Sequence, residues 1–510
     1  MAQPASGRRT FTILHTNDRH GRHLPFDVSG GNATAQTGDH GREHQEFSRS
    51  GRIGGFGQLA TALARRRAAL GRDNVLLVDG GDTFADDLLG NLTRGEAVIR
   101  LMNAVGYHFM ALGNHDFDYG VERTRELARI ATFPMRGANI IERGSGRPFI
   151  GEATLLKQVG GVTVGLLALG YHNTHLTGSL DNVDGLEFVS GIDVARRLVS
   201  GMRGKAEAIV VVSHQGSKVD RKLLEEVEGI DLVIGAHSHD LITPPERVGG
   251  GWLVQAMSDG AMLGEVTLAV QDGKVAQVKG AMHELWSDTF APDPAIGKLI
   301  ARLRAPHGRQ LGDVIANAGE RIGRQYRSES PFDKLVCRIL REATGAEIAF
   351  MPGVGYGVSV NPGPISREAL TTLLPHPSKI ATLTLSGTQL HDVLEQAAVN
   401  LAPPAPLDGV GGLIQSDGIA WSADLRRSAG QRVRDISVLN SPLDPSRRYR
   451  VAVNAGFLEG LHKFTTFANG NDVVRRDQRI ADVVTDAFRK AGTVRVPALG
   501  DVKVERETKG

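Results

Sequence analysis

Asp18 and His20 stand two positions apart in the run Thr16-Asn17-Asp18-Arg19-His20-Gly21, and further polar groups recur down the first half of the chain. These are Gly81-Asp82, the cluster Gly113-Asn114-His115-Asp116-Phe117-Asp118, His214, and Gly235-Ala236-His237-Ser238-His239. Carboxylates, one amide and neutral imidazoles, without any thiolate, suit Zn²⁺, Mn²⁺, Fe or Co²⁺. Two such cations held about 3.5–4 Å apart need a bridging carboxylate to screen their repulsion. Asp82, which lies among the other groups, is the candidate bridge. Asp18, His20 and His239 then complete one site, and Asn114, His214 and His237 the other. The chemistry expected of two divalent metal ions so held is hydrolysis, because they lower the pKa of water and neutralise phosphoryl charge.

Positioning those groups falls to short apolar runs that read as buried strands: residues 11–15, 75–79, 108–112, 208–213 and 231–235 each end directly in one of them. A further run, 162–169, carries no such cluster in this reading. Amphipathic helices are predicted over 57–70, 95–105, 121–131 and 192–202. Strands alternating with helices predict an α/β sandwich, sheet inside and helices outside. Ligands gather outside the carboxyl ends of strands in such folds. Residues 252–284 read as a β-meander closing the domain, and an Arg-rich helix near 294–311 as a connection. The second half opens with a helix over 331–344 and continues through Gly- and Pro-rich loops at 351–364 and 402–412. The expected organisation is a tail at 1–10, a catalytic domain at 11–290, a linker helix at 291–320 and a second domain at 321–510.

Composition narrows the function classes. The 59 basic and 57 acidic residues are interspersed, giving a net charge of +2, and no basic stripe with interleaved aromatics predicts a nucleic-acid polymer as partner. No apolar run of about 18 residues predicts a membrane span. Cys337 is the single cysteine, so no internal disulfide or thiolate metal site can form, and its place is a buried helix position. His40 and His44 fall in a polar, Gly-rich stretch and read as solvated loop residues. The N-terminal MAQPASGRRT has no apolar signal core. That fits a periplasmic or secreted protein whose leader has been removed, and a cytoplasmic location also fits.

Taken in series, DxH, GD, GNHD, H and GHxH resemble the motifs of the calcineurin-like metallophosphoesterases. ILHTNDRHG with GNHDFDYG resembles their two-domain 5′-nucleotidase branch. The resemblance covers most of residues 11–285 and implies a four-layer-type α/β sandwich, followed by an α+β 5′-nucleotidase C-terminal-like domain. The last motif departs from the pattern, with Ala236 between the glycine and His237. The resemblance also implies a dyad beside the metals, His115 with Asp118, although the spacing here is one residue shorter than usual. Asp116 then matches a variable acidic position. In that dyad a protonated His115, oriented by Asp118, stabilises phosphoryl charge or protonates the leaving oxygen.

The substrate side matches less well. The family's Gly-Gly-x-Arg loop is replaced by Pro352-Gly353-Val354-Gly355-Tyr356-Gly357. Phe464 and Phe467 are the residual candidates for a platform on which a base stacks, with Tyr356 as a third substrate-binding candidate. The implied substrate is a small-molecule phosphoester: a nucleoside monophosphate, a cyclic nucleotide or a related compound. The second half is also similar to the thiosulfohydrolase of bacterial sulfur oxidation, a di-manganese relative that acts on an S-sulfonated carrier protein and does not keep the dyad. Sulfur-ester hydrolysis on a carrier protein is therefore one alternative, and a metal-binding protein without catalysis another.

Overall fold

Short continuous apolar runs fold as buried strands, and the helical patterns between them cover the outer faces, in a computed structural model that describes residues 7–28, 47–354 and 359–506. His40, His44 and Tyr356 lie outside the described residues. Two units are present: among the described residues the first runs to His307 apart from Leu176–Ser179, and the second comprises Leu176–Ser179 and the chain from Gly308.

Two six-stranded sheets form the middle of the first unit. In one, strand Arg9–Thr16 lies between Val75–Asp79, to which it is parallel (Thr16 opposite Asp79), and Met262–Gln271, to which it is antiparallel. In the other, Ala208–Ser213 lies between Val162–Leu169 and Leu232–Gly235, parallel to both. Alternation along each strand sends one set of side chains between the sheets: Ile13, Leu76 and Val78 meet Val164, Leu166, Val210 and Ile234 there. The opposite set on the first sheet, with Leu14, Leu77 and Met110, packs on helices Phe56–Leu70 and Glu96–Val105 through Leu59, Leu63, Val98 and Met102. Helices Gly191–Arg203 and Ser217–Glu226 cover the second sheet. The result is the four-layer α/β sandwich.

Two expectations change. Residues 252–284 are not one meander: Gly251–Ala256 pairs parallel with Leu232–Gly235 in the second sheet, while the hairpin Met262–Gln271 and Lys274–Glu284 extends the first. The chain crosses between the sheets at Met257 and Asp259, both left-handed. The helix expected as a connection, Pro294–Arg304, instead packs Ile296 and Ile300 into the helical layer of the first unit. Its start is written in the sequence, with Asp293 capping the first N–H groups and Pro294 at the first position.

The second unit is built on a five-stranded mixed sheet whose central strand is Arg448–Asn454. Its helix Pro331–Thr344 begins with the Ser330 cap and a first-turn proline and ends at left-handed Gly345. Cys337 is buried on that helix. No helix among the described residues is long and apolar enough to cross a membrane.

Candidate metal centre

Strand ends of both sheets of the first unit open onto one polar centre. Asp18 and His20 follow Arg9–Thr16, Asp82 follows Val75–Asp79, and Asn114 and His115 follow Phe109–Ala111. His214 follows Ala208–Ser213, and His237 and His239 follow Leu232–Gly235. Asp18, His20 and His239 offer ligand atoms within 4.8 Å of one another, and Asp82, His214 and His237 do the same. Asp18 Oδ1 lies 3.3 Å from His239 Nε2 and 3.9 Å from His214 Nε2, while Asp82 Oδ2 is 3.0 Å from His214 Nε2.

Convergence this close has a backbone cost. Asp18, His20, Asp82, Asp86, His237 and His239 all take left-handed φ values between 47° and 76°, where an L-residue is disfavoured by about 1–3 kcal/mol. Gly113 shows how tight the approach is. A Cβ there would come within 2.2 Å of Asp82 Oδ1 and 2.7 Å of His214 Cε1, so only glycine fits.

Hydrogen bonds fix how the polar groups face. His214 Nδ1 donates to the Gly80 carbonyl at 2.8 Å, which turns Nε2 toward the centre. Asn17 donates to Asp18 at 2.7 Å, and its oxygen accepts from Ala256 N at 3.0 Å. Asp82 Oδ1 accepts from the His115 N–H at 2.7 Å. His20 Nε2 and His239 Nε2 face each other at 3.0 Å, and two imidazole nitrogens at that distance need a proton or a cation between them. Asn114 Oδ1 is buried and accepts no hydrogen bond among the described residues. Inward-facing nitrogen and oxygen donors of this kind, without a thiolate, fit divalent cations of borderline hardness.

Electrostatics follow from burial and close opposite charges. Burial alone would raise the Asp82 carboxyl, but His214, His115 and His20 outweigh it and hold it well below the usual range. Burial opposes charge on His214, yet Asp82 and Asp18 raise it to about 9. His237 is driven well below its ordinary value, by burial first and then by His214. Burial likewise opposes charge on His115, and the carboxylates of Asp86, Asp118 and Asp82 push it well above the usual histidine value.

His115 and Asp118 meet despite the short spacing. Residues His115–Phe117 form a 3₁₀ turn, in which side chains three apart eclipse. His115 Nδ1 accordingly lies 3.0 Å from Asp118 Oδ2. Three further roles escaped the sequence reading. Asp116 is a clamp, its two oxygens accepting from the N–H groups of Asp82, Thr83 and Gly113. Asp86 Oδ2 is 2.8 Å from His20 Nδ1 and 3.6 Å from His115 Nδ1. Tyr171 lies just past Val162–Leu169, the strand read as ending without a polar cluster. Its ring centroid is 3.9 Å from that of His237, and His172 and Asn173 beside it are buried. The signal for Tyr171 was in the run Gly170-Tyr171-His172-Asn173, whereas nothing in the spacing marked Asp86.

The proposed base platform needs correction. Phe464 and Phe467 are both 0% exposed. Phe467 stacks on Phe457 at 4.7 Å and meets Phe350 edge-on, so neither phenylalanine offers a face to a base. They belong to the core of the second unit.

Comparison with known proteins agrees with this architecture. The calcineurin-like phosphoesterase family matches residues 11–241, and the 5′-nucleotidase C-terminal domain family matches residues 310–469. The snake venom 5′-nucleotidase of Gloydius brevicauda is 25% identical over 543 residues, covering 96% of this chain and 88% of that one. The sulfate thiohydrolase SoxB of Thermus thermophilus, solved with glycerol, superposes with a TM-score of 0.87 at 26% identity, over 98% of this chain and 97% of that one. The 5′-nucleotidase precursor of the same organism gives 0.85 at 25% identity, over 98% and 100%. The chain therefore carries a calcineurin-like phosphoesterase domain followed by a 5′-nucleotidase C-terminal domain.

Proposed function

We propose that this hydrolase cleaves small phosphoesters with two divalent cations, in the manner of a 5′-nucleotidase. The observation that carries the reading is the pair of adjacent donor sets with the His115–Asp118 hydrogen bond beside them. Asp18, His20 and His239 would hold one cation and Asn114, His214 and His237 the other, with Asp82 shared. Bound there, the cations supply Lewis acidity and a water of lowered pKa.

The chain's own residues do the rest. Asp118 holds the Nδ1 proton of His115, so a protonated His115 presents Nε2–H to a phosphoryl or leaving oxygen. Burial opposes charge on that ring, and the carboxylates of Asp86, Asp118 and Asp82 favour its protonated form. Nucleoside monophosphates, cyclic nucleotides and simpler phosphoesters are the substrate class. With Phe464 and Phe467 closed off in the core, weak selectivity for the base is part of the reading. A place outside the cytoplasm is part of it too, in line with a relative found in venom.

Sulfur-ester hydrolysis on a carrier protein is the second reading, favoured by the TM-score of 0.87 with SoxB. One panel separates the two: adenosine monophosphate, a cyclic nucleotide, bis(4-nitrophenyl) phosphate and an S-sulfonated peptide, each with Mn²⁺, Zn²⁺ and Co²⁺. Phosphoester turnover that falls on the order of 10²–10⁴-fold in His115→Ala, with metal content unchanged, supports the proposal. Turnover of the S-sulfonated peptide alone, or wild-type rates in His115→Ala, would overturn it.

A further inference from the structure

Asp86 lies four residues beyond Asp82, outside the donor sets of Asp18 and Asp82 though grouped with His115 and Asp118, and it is 2% exposed and turned into the centre. It gets there through a left-handed backbone, φ 76°, the largest positive value among the described non-glycine residues. A buried carboxylate in a disfavoured conformation is costly to the fold, so its contacts must explain it. One of them is to His20 Nδ1, 2.8 Å from Asp86 Oδ2. A carboxylate can only accept there, so His20 is fixed with its proton on Nδ1 and Nε2 directed at His239 Nε2, 3.0 Å away.

We propose that Asp86 is a positioning residue for the site formed by Asp18, His20 and His239. It selects the His20 tautomer, holds the ring plane and raises the basicity of the nitrogen that faces the cation. The inference rests on the cation assignment proposed above. Carboxylates in this relation to a metal-bound imidazole typically change metal affinity 10–100-fold when removed. His214 makes the corresponding contact to a neutral backbone carbonyl, that of Gly80. The two sites should therefore respond differently to loss of Asp86, with only the first loosened.

The test uses the full chain loaded with Co²⁺ and titrated with a competing chelator, following metal content and visible absorption. Wild type should release two ions. In Asp86→Ala one of them should bind 10–100-fold more weakly while the other keeps its affinity. Asp86→Asn, which retains an acceptor without the charge, should fall between. The double variant His20→Ala/Asp86→Ala should be no weaker at that site than His20→Ala, because the two act through one contact. Unfolding of the metal-free Asp86→Ala protein should not begin at a lower temperature than wild type. Wild-type affinity for both ions in Asp86→Ala would overturn the inference and leave the cation assignment standing. Equal loosening of both ions with an earlier unfolding transition would overturn it in favour of a structural role. A wild-type chain that binds no ion would instead sink the assignment, and the inference with it.

Discussion

Replacing Asp116 by asparagine changes one atom in a niche built from donors. Thr83 N–H donates to Oδ1 at 3.0 Å, while Asp82 N–H and Gly113 N–H donate to Oδ2 at 3.0 and 2.8 Å. The side chain is fully buried. An amide oxygen can serve two of these donors, but its nitrogen then faces Thr83 N–H, and in the flipped orientation it faces the other two. At least one N–H is left without an acceptor, at a cost of about 1–3 kcal/mol. Asp116→Ala abandons all three, so the loss should be about 3 kcal/mol or more even if water enters. The measurement belongs at about pH 8. Burial, and then the negative charge of Asp82, raise Asp116 to about 7, and above that value the carboxylate only accepts. Chemical denaturation of the metal-free protein should show the order wild type, Asp116→Asn, Asp116→Ala. Metal affinity should fall in the same order, because Asp116 ties together the loops carrying Asp82 and Asn114. If Asp116→Asn unfolded within about 0.5 kcal/mol of wild type, which is what surface substitutions typically cost, the clamp would carry no weight and the argument would be wrong.

Other perturbations separate the roles of neighbouring groups. Asp82→Asn should bind neither cation and lose essentially all hydrolysis, since a neutral amide cannot screen two dications; two ions per chain by metal analysis would rule out the bridge. Glu265 is opposed by burial, yet its bonds to His283 and Arg66 hold it down at about 2. That depressed value means its stabilisation is present above about pH 4.5 and lost as pH falls toward 2. Its partners Arg66 and His283 are 32% and 26% exposed and screened by water, so it should contribute only about 1 kcal/mol, and the melting difference between wild type and Glu265→Gln should close over that window. Phe467→Ala should destabilise the second unit by about 3–5 kcal/mol, as core truncations do, and leave the relative kcat/KM of adenosine monophosphate and 4-nitrophenyl phosphate unchanged. A selective loss with the nucleotide would return this ring to the substrate site.

The side chains that converge at the polar centre were legible because each follows an apolar strand, and chain order carried the pattern. Helix starts were legible for similar reasons: Ser330 with Pro331, and Asp293 with Pro294, mark them locally. What escaped were relations that depend on distance through space. Asp86 reaches His20 by an unusual turn and Asp116 gathers N–H groups from two loops, and no spacing encodes either. The meander failed because Gly251–Ala256 and Met262–Gln271 both read as alternating strands, while the switch between sheets at Met257 and Asp259 leaves no periodic trace. Phe464 and Phe467 were ambiguous for a different reason. A ring in a core and a ring under a base share one residue type, and only burial tells them apart.

Six left-handed residues on one rim amount to stored free energy. At about 1 kcal/mol each they sum to roughly 6 kcal/mol, comparable with the entire net stability of many domains. Selection acting on heat resistance alone should find that reserve quickly. Libraries enriched only for survival on heating should drift toward glycine or asparagine at Asp18, His20, Asp82, Asp86, His237 and His239, where those residues relieve the backbone. Such lineages would gain stability and lose hydrolysis in the same steps. Retention of these side chains in a natural population would therefore record selection for function rather than for the fold.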